Sequence, residues 1–301
     1  MKPIEARPHL YRIPLAQDMD GFGHFIGSWV YTGRWNFIVD VGPKASLTAL
    51  IQGLRELNVS RLDFVFLTHI HIDHAGALGA FLAHFPQTRV ICHASGVKHL
   101  VDPEKLREGS LKVLGDLALK YGEIDPVPEK NLVPLEEFDV EGFRVLATPG
   151  HAGHHISLVH EGYLFAGEAG GVFQDFGDAI YLRPATPPRF ILEEAVGSID
   201  KLLETEAQEI CYAHSGMHPD AKKMLRAHRD QLFLWEEVIR HQMGRSREEN
   251  LMEDCIQALL RKDPLFRSVE RMGEGDQKRE RYFTENSIRG YVGYLREPQE
   301  A

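Results

Sequence analysis

The 301-residue sequence predicts a layered α/β fold, two sheets covered by helices, followed by a helical tail. Three observations predict it. Apolar runs of strand length alternate with stretches of helical periodicity between residues 10 and 214. From Pro219 onward the periodicity is almost wholly helical. The continuous apolar run Phe64-Val65-Phe66-Leu67-Thr68, read as a buried strand, leads directly into His69-Ile70-His71-Ile72-Asp73-His74. Periodicity alone leaves other layered α/β arrangements open.

Taken in order, residues 10–15 read as a short strand. Residues 25–31 and 35–41 are strand-like on either side of Thr32-Gly33-Arg34, a hairpin signal, and Gly42-Pro43 ends the second run. Residues 46–57 place Leu47, Leu50, Ile51 and Leu54 at helical spacing. After the strand at 63–68, residues 75–84 read as helix and 89–93 as strand. Residues 97–120 are mostly helical with a break near Asp102-Pro103. Residues 143–147, 156–160 and 163–166 read as strands, 190–204 as helix, and 209–212 as a strand leading to His214.

The domain division expected is 1–218 and 219–301. Three helices are predicted in the second unit, each with an apolar stripe that needs a partner. Residues 221–243 carry Leu225, Leu232, Trp235, Val238 and Ile239. Residues 248–261 carry Leu251, Cys255, Ile256, Leu259 and Leu260, and residues 282–295 carry Ile288, Tyr291, Val292 and Leu295. Gly273-Glu274-Gly275-Asp276 reads as a flexible connection inside the tail.

Composition narrows the function classes. A formal net charge of −10 argues against nucleic acid as a partner. Cys92, Cys211 and Cys255 are odd in number and far apart, which fits free thiols in a reducing compartment. The first residues lack a signal-peptide apolar core, and no apolar run approaches a membrane span, so a cytoplasmic location and no membrane partner are expected.

The chemistry starts at residues 69–74. On an extended chain His69 and His71 point to the same side and can grip one ion, while Asp73 and His74 can serve a second. Imidazoles and a carboxylate suit Zn, Fe or Mn. A structural zinc site would bring cysteine, and none is near, so a catalytic centre is expected. Further along stand Thr148-Pro149-Gly150-His151, Ala166-Gly167-Glu168 and Cys211-Tyr212-Ala213-His214.

This ordered set resembles the metallo-β-lactamase superfamily, whose hallmark is His-x-His-x-Asp-His. The resemblance implies an αββα four-layer sandwich. It implies that His69, His71 and His151 hold one metal, that Asp73, His74 and His214 hold the other, and that Glu168 bridges them. The cofactors implied are two divalent ions, zinc first, with Fe or Mn as alternatives. It further implies a metal-activated hydroxide as nucleophile, with Asp73 as the catalytic residue that orients it and handles its proton.

Several residues depart from the family pattern or carry two readings. Glu168 stands where aspartate is usual, and Asp175 or Asp178 could compensate if it binds one ion only. His218 competes with His214 as the last ligand; the strand before His214 favours the latter. His154, where glycine is usual, is expected to be a solvated loop residue rather than part of the site rim, and His155 a supporting or strand-entry histidine. Asp40 can fix a ligand histidine's tautomer or simply end a strand. The aromatic, proline-rich residues 170–190 either wall a substrate pocket or pack on the tail, and residues 19–24 form a flap or a plain glycine-rich loop.

The function expected is hydrolysis of a small ester, thioester or lactone. The alternative implied by the same resemblance is single-iron persulfide oxidation. A basic cluster for a glutathione carboxylate is not visible in the tail. The partner expected is a small-molecule substrate. The aromatics of the tail call for a cover, either the core or a second copy of the chain in a homo-oligomer.

Overall fold

The computed structural model describes residues 2–297. The first sheet runs in chain order: β1 (Ile4–Arg7), β2 (Leu10–Pro14), β3 (Gly27–Thr32), β4 (Asn36–Val39), β5 (Phe64–Phe66), β6 (Arg89–Cys92) and β7 (Leu132–Pro134). β1 to β4 form an antiparallel meander, and β4 to β7 are parallel. The crossovers of the parallel half are helical: α1 (Leu47–Glu56), α2 (Ile72–Ala75), α3 (Leu78–Leu82), α4 (Ala94–Val101), α5 (Glu104–Leu114) and α6 (Asp116–Tyr121).

The second sheet contains β8 (Phe143–Ala147), β9 (Ile156–His160) and β10 (Tyr163–Gly167). A separate hairpin follows, β11 (Val172–Asp175) and β12 (Ile180–Arg183), and then α7 (Leu192–Leu203). β13 (Glu209–Tyr212) joins β10 in parallel, and β14 (Gly216–His218) closes the sheet in the order β14-β13-β10-β9-β8. The tail comprises α8 (Ala221–Met243), α9 (Leu251–Lys262), α10 (Pro264–Arg267) and α11 (Glu274–Arg296).

The period of two along each strand sorts side chains into layers. Val65 packs with Ile13, Val30, Ile38 and Val90 against α1, α3 and α6. Its neighbours Phe64 and Phe66 face the other way and meet Ile156, Leu158 and Phe165 of the second sheet. Full burial of each such side chain is worth roughly 1.5–3 kcal/mol. The outer face of the second sheet, Leu164, Ala166, Ile210 and Tyr212, packs on α7, α8, α9 and α11. These are the four layers of an αββα sandwich, and the helical C-terminal region supplies part of the last.

Several predicted elements change. Residues 75–84 divide into α2 and α3 around Gly76-Ala77, and residues 97–120 break at Gly115 as well as at Asp102-Pro103. The predicted helix at 282–295 is the later part of α11. Gly273-Glu274-Gly275-Asp276 is therefore the start of a long helix, not a flexible connection. Gly273 is the N-cap, and Glu274 and Asp276 lie in the first turn, where the helix dipole favours acids. Gly275 is buried because loop 15–26 passes close by: a Cβ there would lie 2.1 Å from Asp20 Oδ1.

Candidate metal centre

The ends of five strands, β4, β5, β8, β10 and β13, and one short helix, α2, deliver the site. β4 and β5 are parallel neighbours, so residues after both end on one side of the sheet. After β4, Asp40 turns with a φ of 59° and accepts from the Thr68 amide (2.8 Å), the Thr68 hydroxyl (2.8 Å) and His74 Nδ1 (2.9 Å). The Thr68 hydroxyl in turn lies 3.1 Å from His69 Nδ1. His71 is the N-cap of α2, whose single turn presents Asp73 and His74. The Nε2 atoms of His69 and His74 are therefore left to face the centre.

His151, in the loop after β8, donates through Nδ1 to the Ala185 carbonyl (2.9 Å), and its Nε2 lies 3.0 Å from His71 Nδ1. Glu168 follows β10. One of its oxygens is 2.9 Å from His151 Nε2, 3.4 Å from His69 Nε2 and 3.5 Å from His74 Nε2; the other is 3.5 Å from His214 Nε2. Asp73 Oδ2 lies 3.5 Å from His74 Nε2 and 3.9 Å from His214 Nε2. The donors form two groups, His69-His71-His151-Glu168 and Asp73-His74-His214, each within 4.8 Å.

The Ala166-Gly167-Glu168 turn is explained by His155. That ring is fully buried; its Nε2 accepts from the Glu168 amide (3.1 Å), and its Nδ1 lies 2.8 Å from the Thr148 hydroxyl. Gly167 has a φ of 57°, and a Cβ on it would lie 2.3 Å from His155 Nε2. Only glycine fits there without displacing the group that holds Glu168.

Electrostatics match a cation site. Burial lowers the pKa of His71 to about 3, with His151 and His154 adding to the effect, and keeps the ring neutral as a ligand requires. Burial alone would raise Asp73, but His74 and His214 outweigh it and hold the carboxyl at about 2. Glu168 is likewise held well below the carboxylate range against burial, by His151 and His214. Burial opposes charge on His74, yet Asp73 and Asp40 raise its pKa. A cation at Nε2 would take the place of that proton. His69 Nε2 and His74 Nε2 are buried without a hydrogen-bond partner among the described residues, so the imidazole and carboxylate set fits divalent ions such as zinc.

The seven residues of the implied ligand set, His69, His71, Asp73, His74, His151, Glu168 and His214, thus converge, and Asp40 and His155 buttress the site. His218 does not converge: it lies on β14, with Nδ1 accepting from the Asp220 amide. Asp178 is at the surface, paired with Arg271 (2.7 Å), and Asp175 accepts from the Gly177 amide; neither joins a donor group. His154 is a correction. Its ring centroid lies 5.6 Å from that of His71, so it belongs to the rim and is not solvated loop. The aromatics of residues 170–190 follow the second of the two readings, Phe173, Tyr181 and Phe190 being buried in the core shared with the tail, while Gln174 and Asp175 line a cleft and the Ala185 carbonyl holds His151.

Spacing gave no signal for three neighbours from remote segments. Phe25 stacks on His214, Arg279 of α11 lies over Phe25, and the buried Tyr121 hydroxyl has no partner among the described residues. A cleft of about 780 Å³ opens beside Phe25 and Ser215, with Arg12, Asp20, Asp175 and Arg279 in its walls. Loop 19–24 forms one side of it and is tied to α11 by a hydrogen bond from Arg279 to the Gly21 carbonyl.

Known proteins match this frame. The family model of the metallo-beta-lactamase superfamily matches residues 26–214. The metallo-beta-lactamase fold-containing protein ST1585 of Sulfurisphaera tokodaii is 32% identical over 189 residues, covering 60% of this chain and 70% of that protein. The hydroxyacylglutathione hydrolase of Salmonella paratyphi A is 32% identical over 147 residues, 46% of this chain and 45% of that enzyme. Among solved structures, ST1585 superposes with a TM-score of 0.68 over 94% of this chain and 98% of that one, at 25% identity. A metallo-beta-lactamase family protein of Thermus thermophilus, TTHA1429, gives 0.65 over 96% and 94% at 22% identity, a likeness of fold.

Proposed function

Because this chain belongs to the metallo-beta-lactamase superfamily, we propose that it is a two-metal hydrolase acting on a small ester, thioester or lactone. The observation that carries this reading is Glu168: its two oxygens reach ring nitrogens of both donor groups despite the extra methylene. His69, His71 and His151 would hold the first ion and Asp73, His74 and His214 the second, with Glu168 within reach of both groups. Ions bound there supply Lewis acidity and make hydroxide available near neutral pH.

The chain's own groups do the rest. Asp73 is the acid in the site with the most exposed side chain, 14% against 9% for Glu168, and it is suited to orient water and hold its proton at Oδ2. Asp40 and His155 keep the ligand rings and the Glu168 backbone from rotating away. The cleft beside Phe25 has the volume of a small-molecule site; none of the proposed ligands lines it, and it adjoins His214 through Phe25 and Ser215. The name of the Salmonella relative, a hydroxyacylglutathione hydrolase, supports a thioester among the candidate bonds. Three buried free cysteines fit a reducing compartment such as the cytoplasm.

Elemental analysis of purified, zinc-replete protein, paired with ester, thioester and lactone panels, tests the reading. The expected result is about two zinc per chain and turnover on one panel. Replacing His71 and Asp73 together, as His71→Ala with Asp73→Asn, should abolish metal uptake and turnover while far-UV circular dichroism stays helical. One iron per chain with oxygen uptake on a persulfide would instead establish the single-iron oxidation. Inactivity on every panel in the two-zinc form would overturn the proposal.

A further inference from the structure

The C-terminal helix reaches His214 through the aromatic ring of Phe25. Phe25 lies face to face with His214, ring centroids 4.1 Å apart and planes within 8°. The guanidinium carbon of Arg279 lies 4.3 Å from the centroid of Phe25. One turn along α11, Phe283 stacks on the same ring at 5.5 Å. Next to this stack, Ile26 forms an isolated backbone bridge with His214, so the ring and the backbone of residues 25–26 both bear on that histidine.

His214 needs this support because it lacks the ordinary kind. A ligating histidine almost always donates its second ring N–H to an acceptor, which fixes the tautomer and the ring plane. Asp40 does this for His74, Ala185 for His151 and Thr68 for His69. His214 Nδ1 is buried and has no hydrogen-bond partner among the described residues, while its Nε2 faces Glu168 and Asp73. What holds its plane is the stacked face of Phe25.

Arg279 is itself locked. It is 5% exposed and donates to Asp276 (2.7 Å), to Glu280 (3.0 Å) and to the Gly21 carbonyl. Glu280, 1% exposed, also accepts from Arg183 (2.6 Å) and Tyr181 (2.7 Å). A guanidinium on an aromatic face binds more strongly where both are shielded from water. The series Glu280, Arg279, Phe25, His214 thus runs from the interior of the tail to one proposed ligand, and among the other proposed ligand rings none contacts Phe25.

We propose that Arg279 is a positioning residue: through Phe25 it holds the His214 imidazole in its ligating orientation, so the C-terminal helix sets the affinity of the second ion. The inference rests on the ligand assignment proposed above. Its test is stepwise zinc titration of the metal-free full chain against a chromophoric chelator, which resolves two dissociation constants.

Arg279→Met removes the guanidinium and leaves Glu280 with Arg183. Phe25→Leu removes the ring without breaking an ion pair, and keeps the test decisive if the first variant does not fold. Each is expected to weaken the second ion at least about tenfold and leave the first unchanged. Equal weakening of both ions, or no weakening in a folded variant, would overturn the proposal. Failure of the ligand assignment itself is distinguishable, because the wild-type chain would then show fewer than two zinc equivalents.

Discussion

Asp40 closes three hydrogen bonds at once. Asp40→Ala would leave the Thr68 amide and His74 Nδ1 buried without an acceptor, each at about 1–3 kcal/mol. Zinc affinity should fall roughly 10–100-fold, measured by chelator competition. Asp40→Asn is the control, since asparagine tolerates the φ of 59° and keeps one acceptor oxygen; it should lose less. Unchanged affinity in the alanine variant would reduce Asp40 to a strand-end turn. Gly167→Ala is a second residue-scale case. The added methyl must displace His155, which holds the Glu168 amide. Urea denaturation should show a loss of roughly 1–3 kcal/mol, with weaker zinc binding alongside. Most of the ligands were legible because they occupy fixed positions beside strand ends. Phe25, Tyr121 and Arg279 were not, because their place at the centre depends on packing between segments far apart in the chain.

At the scale of elements, what the sequence hid was set by length and by competing signals. β1 and β7 span four and three residues, too short for alternation to register. The β11–β12 hairpin lies in a stretch whose aromatics and prolines read as loop, although Phe173 and Tyr181 alternate with Gln174 and Ile180. The hairpin is fastened to α11 by Glu280, which binds Tyr181 and Arg183 of β12. Burial alone would raise the Glu280 carboxyl; Arg183 and Arg279 pull it down to about 2, against 4.5 for an unperturbed glutamate. A depressed folded pKa stabilises fully above the unfolded value and less as pH falls below it. Glu280→Gln should therefore be destabilising by about 3–5 kcal/mol at neutral pH, because it leaves two buried arginines short of charge. The gap to wild type should narrow as pH falls from about 4.5 toward about 2, measured as the difference in urea midpoints at several pH values. A gap that does not change with pH would show that packing, not charge, holds the hairpin to the helix.

For the whole molecule, the decisive relation is between sandwich and tail. Sequence periodicity separates them at residue 219, yet the outer face of the second sheet is covered by α7, the β11–β12 hairpin and the tail helices together. Leu164, Ile210 and Tyr212 share one apolar cluster with Trp235, Ile239, Leu259 and Tyr291. A tail that shares its core with a sheet cannot unfold alone without exposing that sheet, so one cooperative transition is expected. Two tryptophans report on the two sides. Trp29 lies between the sheets and donates to the Tyr212 carbonyl (2.8 Å); Trp235 is fully buried in the tail and donates to Asp263 (2.8 Å). Variants keeping only Trp29, or only Trp235, with the other tryptophans replaced by phenylalanine, isolate each signal. In chelator-treated protein, to avoid a separate step of metal loss, each fluorescence curve in urea should overlay the far-UV circular dichroism curve of the same variant. If the Trp235 curve departs from its dichroism curve, the tail is an autonomous unit. The series from Glu280 to His214 would then join two separately stable parts, and metal affinity could change without any change in the stability of the sandwich.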